Sequence, residues 1–314
     1  MPSETLLIYL LITSANQFTF VLGFGEATVD SISLTKTGFL RGIMCIAAWI
    51  WQSHPAHQLL LFLNRDEYHD RATEAVGWWG EGNKKILGGR DVKGGGTWLG
   101  CTKDGRVAFL TNAREPESIP DARTRGVLPL RFLESTKSPH EFAEEIVQEA
   151  DYYNGFNLIL ADLCSKTMVY VSNRPKGESV SVQTVPPGLH VLSNAQLDTP
   201  WPKAQRLHDN FSHLLKKHGD EEVTAEEVIE KLMMDKTKAD MDELPITGCD
   251  PDWEFNLSSI FVETDTKRGR YGTRSTAAFS AKVNGEVTFY ERYLERGMWK
   301  EHKIQYQMEN GTKA

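Results

Sequence analysis

The stretch Cys45-Ile46-Ala47-Ala48-Trp49-Ile50-Trp51, a turn at Gln52-Ser53-His54-Pro55, and a second run Gln58-Leu59-Leu60-Leu61-Phe62-Leu63-Asn64 decide the fold class. Each run is of strand length and apolar at consecutive positions, so neither face is left for water; such strands lie between two layers. Outward from this pair, glycines at 88, 89, 94, 95, 96 and 100 surround Thr97-Trp98-Leu99, and Gly105 to Asn112 reads as turn and strand. Further strands are predicted over 156–161, 168–172, 180–185 and 190–192. An amphipathic helix is predicted over 139–150, opened by the cap residue Ser138. A second starts at Thr199, with Pro200 and Pro202 in its first turn, and runs towards Gly219; a third covers 224–234. After a solvated acidic loop over 235–252, strands are predicted at 257–263, 275–282 and 286–293, the last two joined by an Asn284-Gly285 hairpin turn. Strands at both ends with helices between them predict an α+β domain in which antiparallel sheets stack and helices cover the outside. No linker or internal repeat interrupts it, so residues 44–314 are expected to form one domain.

Composition narrows the function. The 314 residues carry 35 basic and 43 acidic side chains, a net charge of −8, which argues against nucleic acid as the partner. Cys45, Cys101, Cys164 and Cys249 contain no CxxC pair, so neither a disulfide scaffold nor structural zinc is expected. His54 and His57 flank a proline with no third ligand spaced near them and read as a turn. No GxxxxGK[ST], GxGxxG or GxSxG occurs, so neither a metal nor a cofactor is implied. Residues 1–43 do not conform to the rest. The apolar run from Leu6 to Ile12 is too short to span a bilayer, and Glu4 stands where a secretory signal wants basic residues. This extension is expected to be untranslated or removed, with Met44 a candidate start and Cys45 a candidate first residue.

A terminal cysteine would be chemically distinctive. Its own amine, with a pKa of roughly 7.7–8.0, can take the thiol proton, so one residue supplies nucleophile and base. The chemistry also needs a cation to favour thiolate, a carboxylate to orient the amine, and amide donors for an oxyanion. Arg65, Asp66, Asn112 and Asn194 are candidates for those parts. From spacing alone, a cysteine on an apolar strand reads first as a packing residue.

The segments Met44-Cys45-Ile46, Asn64-Arg65-Asp66-Glu67, Gly94-Gly95-Gly96-Thr97-Trp98-Leu99-Gly100, Thr111-Asn112, Leu192-Ser193-Asn194 and Tyr271-Gly272-Thr273-Arg274-Ser275 together resemble the transport and Golgi organization protein family, the NRDE-motif proteins. That family is similar to N-terminal-nucleophile hydrolases of the choloylglycine and penicillin V acylase type, which implies a four-layer αββα sandwich. By the same resemblance Cys45 corresponds to the nucleophile, Arg65 and Asp66 to the arginine and aspartate near it, Asn112 and Asn194 to asparagines of the oxyanion site, and Arg274 to a late arginine. Arg65 and Asp66 are neighbours, so a regular strand would turn them to opposite faces; only a bend or strand end brings both to Cys45.

The resemblance implies a role in Golgi organization and protein secretion and in intracellular haem or acyl-lipid handling. It implies a cytoplasmic protein without a transmembrane span, with peripheral association at Golgi or mitochondria. Two readings stay open: an amidase or thioesterase using Cys45, and a carrier whose pocket binds haem or an acyl chain, lined by Trp49, Trp51 and Trp98. An interaction scaffold is the third.

Overall fold

A computed structural model of the chain describes residues 8–13, 17–22, 44–81 and 85–309. Contacts divide the chain into two units, 1–41 and 42–314. In the first, strands β1 (Ile8–Thr13) and β2 (Gln17–Leu22) pair antiparallel, Ile8 opposite Leu22. Leu6 and Leu7 of the apolar run, and residues 23–43 of the extension expected to be untranslated or removed, lie outside the described residues.

The second unit carries two seven-stranded antiparallel sheets. The first contains β3 (Met44–Trp51), β4 (His57–Tyr68), β12 (Gly188–Leu192), β13 (Glu263–Thr266), β14 (Gly269–Lys282), β15 (Glu286–Glu295) and β16 (Met298–Gln307). Its order is β12-β3-β4-β14-β15-β16, with β13 hydrogen-bonded to β14. The second contains β5 (Thr73–Trp79), β6 (Ile86–Asp91), β7 (Leu99–Thr102), β8 (Arg106–Asn112), β9 (Phe156–Asp162), β10 (Thr167–Ser172) and β11 (Ser181–Thr184), laid side by side in chain order.

Strand alternation explains the layers. Ala47, Trp49 and Trp51 of β3 and Leu59, Leu61 and Leu63 of β4 point one way and meet Val107, Phe109, Ile159 and Tyr170 of the second sheet. The intervening Ile46, Ala48, Ile50, Leu60 and Phe62 point the other way, onto helix α3 (Pro202–His218) and the turns that follow it. On the far side of the second sheet, Ala108, Leu158, Leu160 and Val171 pack on α1 (Val127–Glu134) and α2 (Pro139–Val147). The result is helix, sheet, sheet, helix: an α+β sandwich with apolar contacts in all three gaps.

Several expectations are corrected. β4 does not stop at Asn64 but runs on through Asn64-Arg65-Asp66-Glu67 to Tyr68, because β14 continues to pair with it. Residues 257–262 are not a strand. They follow a short helix, α5 (Pro251–Asn256), which the proline- and acid-rich stretch hid although Asp250 caps it through the Trp253 amide. The third helix is only α4 (Ala225–Val228) continued by a π-helical turn over Ile229–Met233. Strands β5, β6 and β16 and helix α1 had no clear sequence signal. Ser138 does cap α2, through a reciprocal bond with Glu141.

Candidate functional site

Cys45 and Arg65 are directly paired across β3 and β4. Cys45 is odd-numbered like Trp49, and Arg65 odd-numbered like Leu61, so both side chains enter the gap between the sheets. There, at one end of the apolar core, lies a cavity of about 260 Å³ whose lining includes Cys45, Arg65, Asp91, Trp98, Asn112 and Arg125. Arg65 is 3% exposed and its guanidinium stacks 4.3 Å from the Trp98 ring, a contact worth roughly 0.5–2 kcal/mol. Asp91 approaches Arg65 at 3.8 Å but is held more tightly by Arg71, at 2.8 Å. That contact is the main reason the Asp91 carboxyl stays below the usual range despite its burial.

The glycine-rich motif acquires a mechanical meaning. A Cβ on Gly96 would fall 2.2 Å from the Gly126 backbone, and one on Gly89 would fall 2.4 Å from the Trp98 ring. Side chains are excluded at both places so that the Thr124–Gly126 turn and the Trp98 indole can close over the cavity. The Thr97 amide donates to the Gly126 carbonyl and fixes that closure. Arg125 on this turn donates to the Gly155 carbonyl, and burial draws its pKa down to about 10.

Asp66 goes the other way. It points to the helix side of the sheet, where Thr273 donates to its Oδ1 at 2.7 Å and its buried Oδ2 has no hydrogen-bond partner among the described residues. Burial pushes its carboxyl well above the usual range, and Lys203 on α3 is the strongest opposing influence. Lys203 is itself buried, donates to the Leu257 carbonyl at 2.9 Å, and has its pKa lowered, chiefly by burial. The Tyr271 hydroxyl bridges the two strands at this point, receiving the Met44 amide at 2.8 Å and donating to the Asp66 carbonyl at 3.3 Å. The backbone amide of Asp66 donates to the Cys45 sulfur. Burial raises that thiol to about 12, and the negative field of Asp66 adds to the shift. With Met44 preceding it, Cys45 is a protonated thiol.

The other sequence candidates scatter around this centre. Asn112 lines the cavity, whereas Asn194 Nδ2 donates to the Asn112 carbonyl and its residue borders a separate cavity of about 800 Å³. Arg274 occupies a bulge in β14, between Thr273 paired with Asp66 and Ser275 paired with Arg65. Its guanidinium therefore leaves the ladder and ties down the carbonyls of Tyr68 and Arg71. Trp98 lines the cavity, but Trp49 and Trp51 are sealed in the inter-sheet core. His54 and His57 sit at the opposite end of β3 from Cys45 and do not line the cavity. Among the described residues no cluster of metal-ligating side chains occurs and no helix is long and apolar enough to cross a membrane.

Sequence reasoning passed over Arg125 and Lys203, and quoted Tyr271 within its motif without giving it a role. Lys203 had a readable signal: it lies one turn before Leu207, on the stripe of α3 that also buries Phe211 and Leu214.

Residues 44–296 match the family model described as Transport and Golgi organisation 2. The chain belongs to the Transport and Golgi organisation 2 family. Its relatives include the Transport and Golgi organization 2 homolog of Mus musculus, 30% identical over 283 residues that cover 85% of this chain and 100% of that protein. The Transport and Golgi organization protein 2 homolog of Bos taurus is 32% identical over 263 residues, covering 80% and 93%. Among solved structures, the Caenorhabditis elegans N-acylethanolamine-hydrolyzing acid amidase ortholog aligns with a TM-score of 0.38 and 15% identity over 60% of this chain and 85% of that one. In this member of the Transport and Golgi organisation 2 family, the matched region begins one residue before Cys45 and contains every cavity-lining residue named above.

Proposed function

We propose that this member of the Transport and Golgi organisation 2 family binds an acyl-type small molecule bearing an anionic group, in the cavity at Cys45. The observation that carries this reading is the face-to-face pairing of Cys45 and Arg65 at a cavity that also presents Arg125 and Asn112. A buried, uncharged thiol offers apolar contact, and two desolvated guanidinium groups above it favour a carboxylate or phosphate, which they grip in planar, bidentate fashion. An acyl ligand fits better than haem: the cavity, at about 260 Å³, lies below the size of pockets for drug-sized ligands, and among the described residues no imidazole lines it. A role in Golgi organisation and transport would then rest on carrying or sensing such a molecule.

A second reading, hydrolysis of an amide or thioester, is favoured by Asp66 Oδ2, which lies at the level of residue 44 and has no hydrogen-bond partner among the described residues. In a chain beginning at Cys45, the α-amine would take the thiol proton as sulfur attacks the acyl carbonyl carbon. It would pass that proton to the leaving group, and water would then cleave the thioester to the acid and the free thiol. Arg65 would support the thiolate, Asn112 the oxyanion, and Asn194 and Arg274 would act through Asn112 and the β4–β5 turn.

Calorimetric titration with a medium-chain acyl phosphate is the direct test. Binding that falls at least about tenfold in Arg65→Met and persists in Cys45→Ala is expected, on the scale of one charge-assisted contact. Binding unaffected by Arg65→Met rejects the site. Release of acid by a chain starting at Cys45, abolished in Cys45→Ala, would establish the hydrolytic reading; absence of release would remove it.

A further inference from the structure

The first two residues of β16, just past its turn with β15, are large, apolar and exposed: Met298 is 62% and Trp299 39% exposed. Trp299 leans on the buried Phe261 ring at 5.9 Å, which holds the indole in place without covering it. Arg296 and Lys300 flank the pair. The turn joining β13 to β14 carries Lys267, Arg268 and Arg270, all exposed, with the Arg268 guanidinium stacked 4.1 Å from the Tyr68 ring. β14 and β15 are adjacent and pair Ser275 with Tyr293, so both turns emerge from the same end of the sheet. Lys236 joins them through Glu263.

The acids facing this end are Glu263, shared by Lys236 and Arg270, Glu295, bound by Lys300, and Asp265 and Asp70. Among the described residues, six basic groups thus face four acidic ones, a local excess of positive charge on a chain whose net charge is −8. Among the described residues, Lys267 and Arg296 have no ion-pair partner. An exposed Trp-Met pair ringed by Lys and Arg matches a bilayer interface, where apolar side chains enter the acyl boundary and cations meet anionic headgroups.

We infer that the β13–β14 and β15–β16 turns form a docking edge for an anionic lipid surface, with Met298 and Trp299 inserting and Arg268, Arg296 and Lys267 contacting headgroups. This edge lies at the end of the sheet that holds Cys45, since β14 pairs Tyr271 with Tyr68 and Ser275 with Arg65. A docked molecule therefore brings its cavity to the membrane, where acyl-type ligands reside.

Cosedimentation of the full chain with vesicles tests this. The protein should pellet with phosphatidylcholine vesicles containing about one-third phosphatidylserine and stay in solution with phosphatidylcholine alone. Arg268→Glu with Arg296→Glu, and separately Met298→Ser with Trp299→Ser, should each weaken the partition by about tenfold or more. These positions are exposed, and an unchanged near-ultraviolet dichroism spectrum of each variant certifies its fold. Equal partition onto both vesicle types, or parental partition by both folded double variants, overturns the inference. Because neither variant touches the Cys45 cavity, acyl phosphate binding measured alongside separates failure here from failure of the cavity assignment.

Discussion

The middle and the end of β3 and β4 are built on opposite physical terms. In the middle, Trp49, Trp51, Leu59, Leu61 and Phe62 are buried against carbon on both faces of the sheet. One pair of residues further along, the same two strands bury Cys45 and Arg65 on one face and Met44 and Asp66 on the other. The first region is stabilised by removing apolar surface from water. In the second, a guanidinium, a carboxylate and an ammonium are taken out of water and only partly compensated. A fold that spends stability at one end of its strands holds a site there, and the faces are not equivalent: Arg65 opens on a cavity and Asp66 on a helix.

That contrast can be broken most forcefully in the middle. Trp49→Ala should cost about 3–5 kcal/mol in urea unfolding, because the ring fills the inter-sheet gap against Phe109. A loss under about 1 kcal/mol would mean that this gap is not the dominant core.

The charged end should respond next. Lys203→Met leaves Asp66 without its main opposing charge, and roughly 3 kcal/mol should be lost at neutral pH. Asp66 sharpens the contrast through pH. A carboxyl whose pKa is raised by folding holds its proton in the native state after the unfolded chain has released it. Stability contributed by this group therefore falls as pH rises above about 4, on the order of a few kcal/mol in full. Asp66→Asn should flatten that part of the profile, and an unchanged profile would show that Asp66 is not the group responsible.

Gly96→Ala should cost about 1–3 kcal/mol, since its Cβ would meet the Gly126 backbone at 2.2 Å, and it should weaken acyl phosphate binding by displacing Arg125. The gentlest probe leaves the chain intact. At pH 8, exposed Cys164 should react with Ellman's reagent at once, while Cys45 and Cys101, buried and each raised to about 12, should wait for unfolding. Labelling of Cys45 as fast as Cys164 would show an open, ionised thiol and favour the hydrolytic reading.

Local patterning determined much about this protein. The uninterrupted apolar runs of β3 and β4 required covering on both faces, Ser138 and Pro139 announced α2, and Asn284-Gly285 announced the β14–β15 turn, because these effects act over a few residues. The positions of Cys45, Arg65, Trp98 and Asn112 were legible as a set, through their order along the chain. Only the tertiary structure decided what they face. The extension of β4 past Asn64 depends on β14, more than two hundred residues away, and it is this extension that sends Arg65 and Asp66 to opposite sides. The bulge at Arg274, the enclosure of Trp49 and Trp51, and the arrival of Lys203 and Arg125 are likewise consequences of long-range pairing. Side-chain direction in a sheet alternates with register, and register is set by the neighbouring strand.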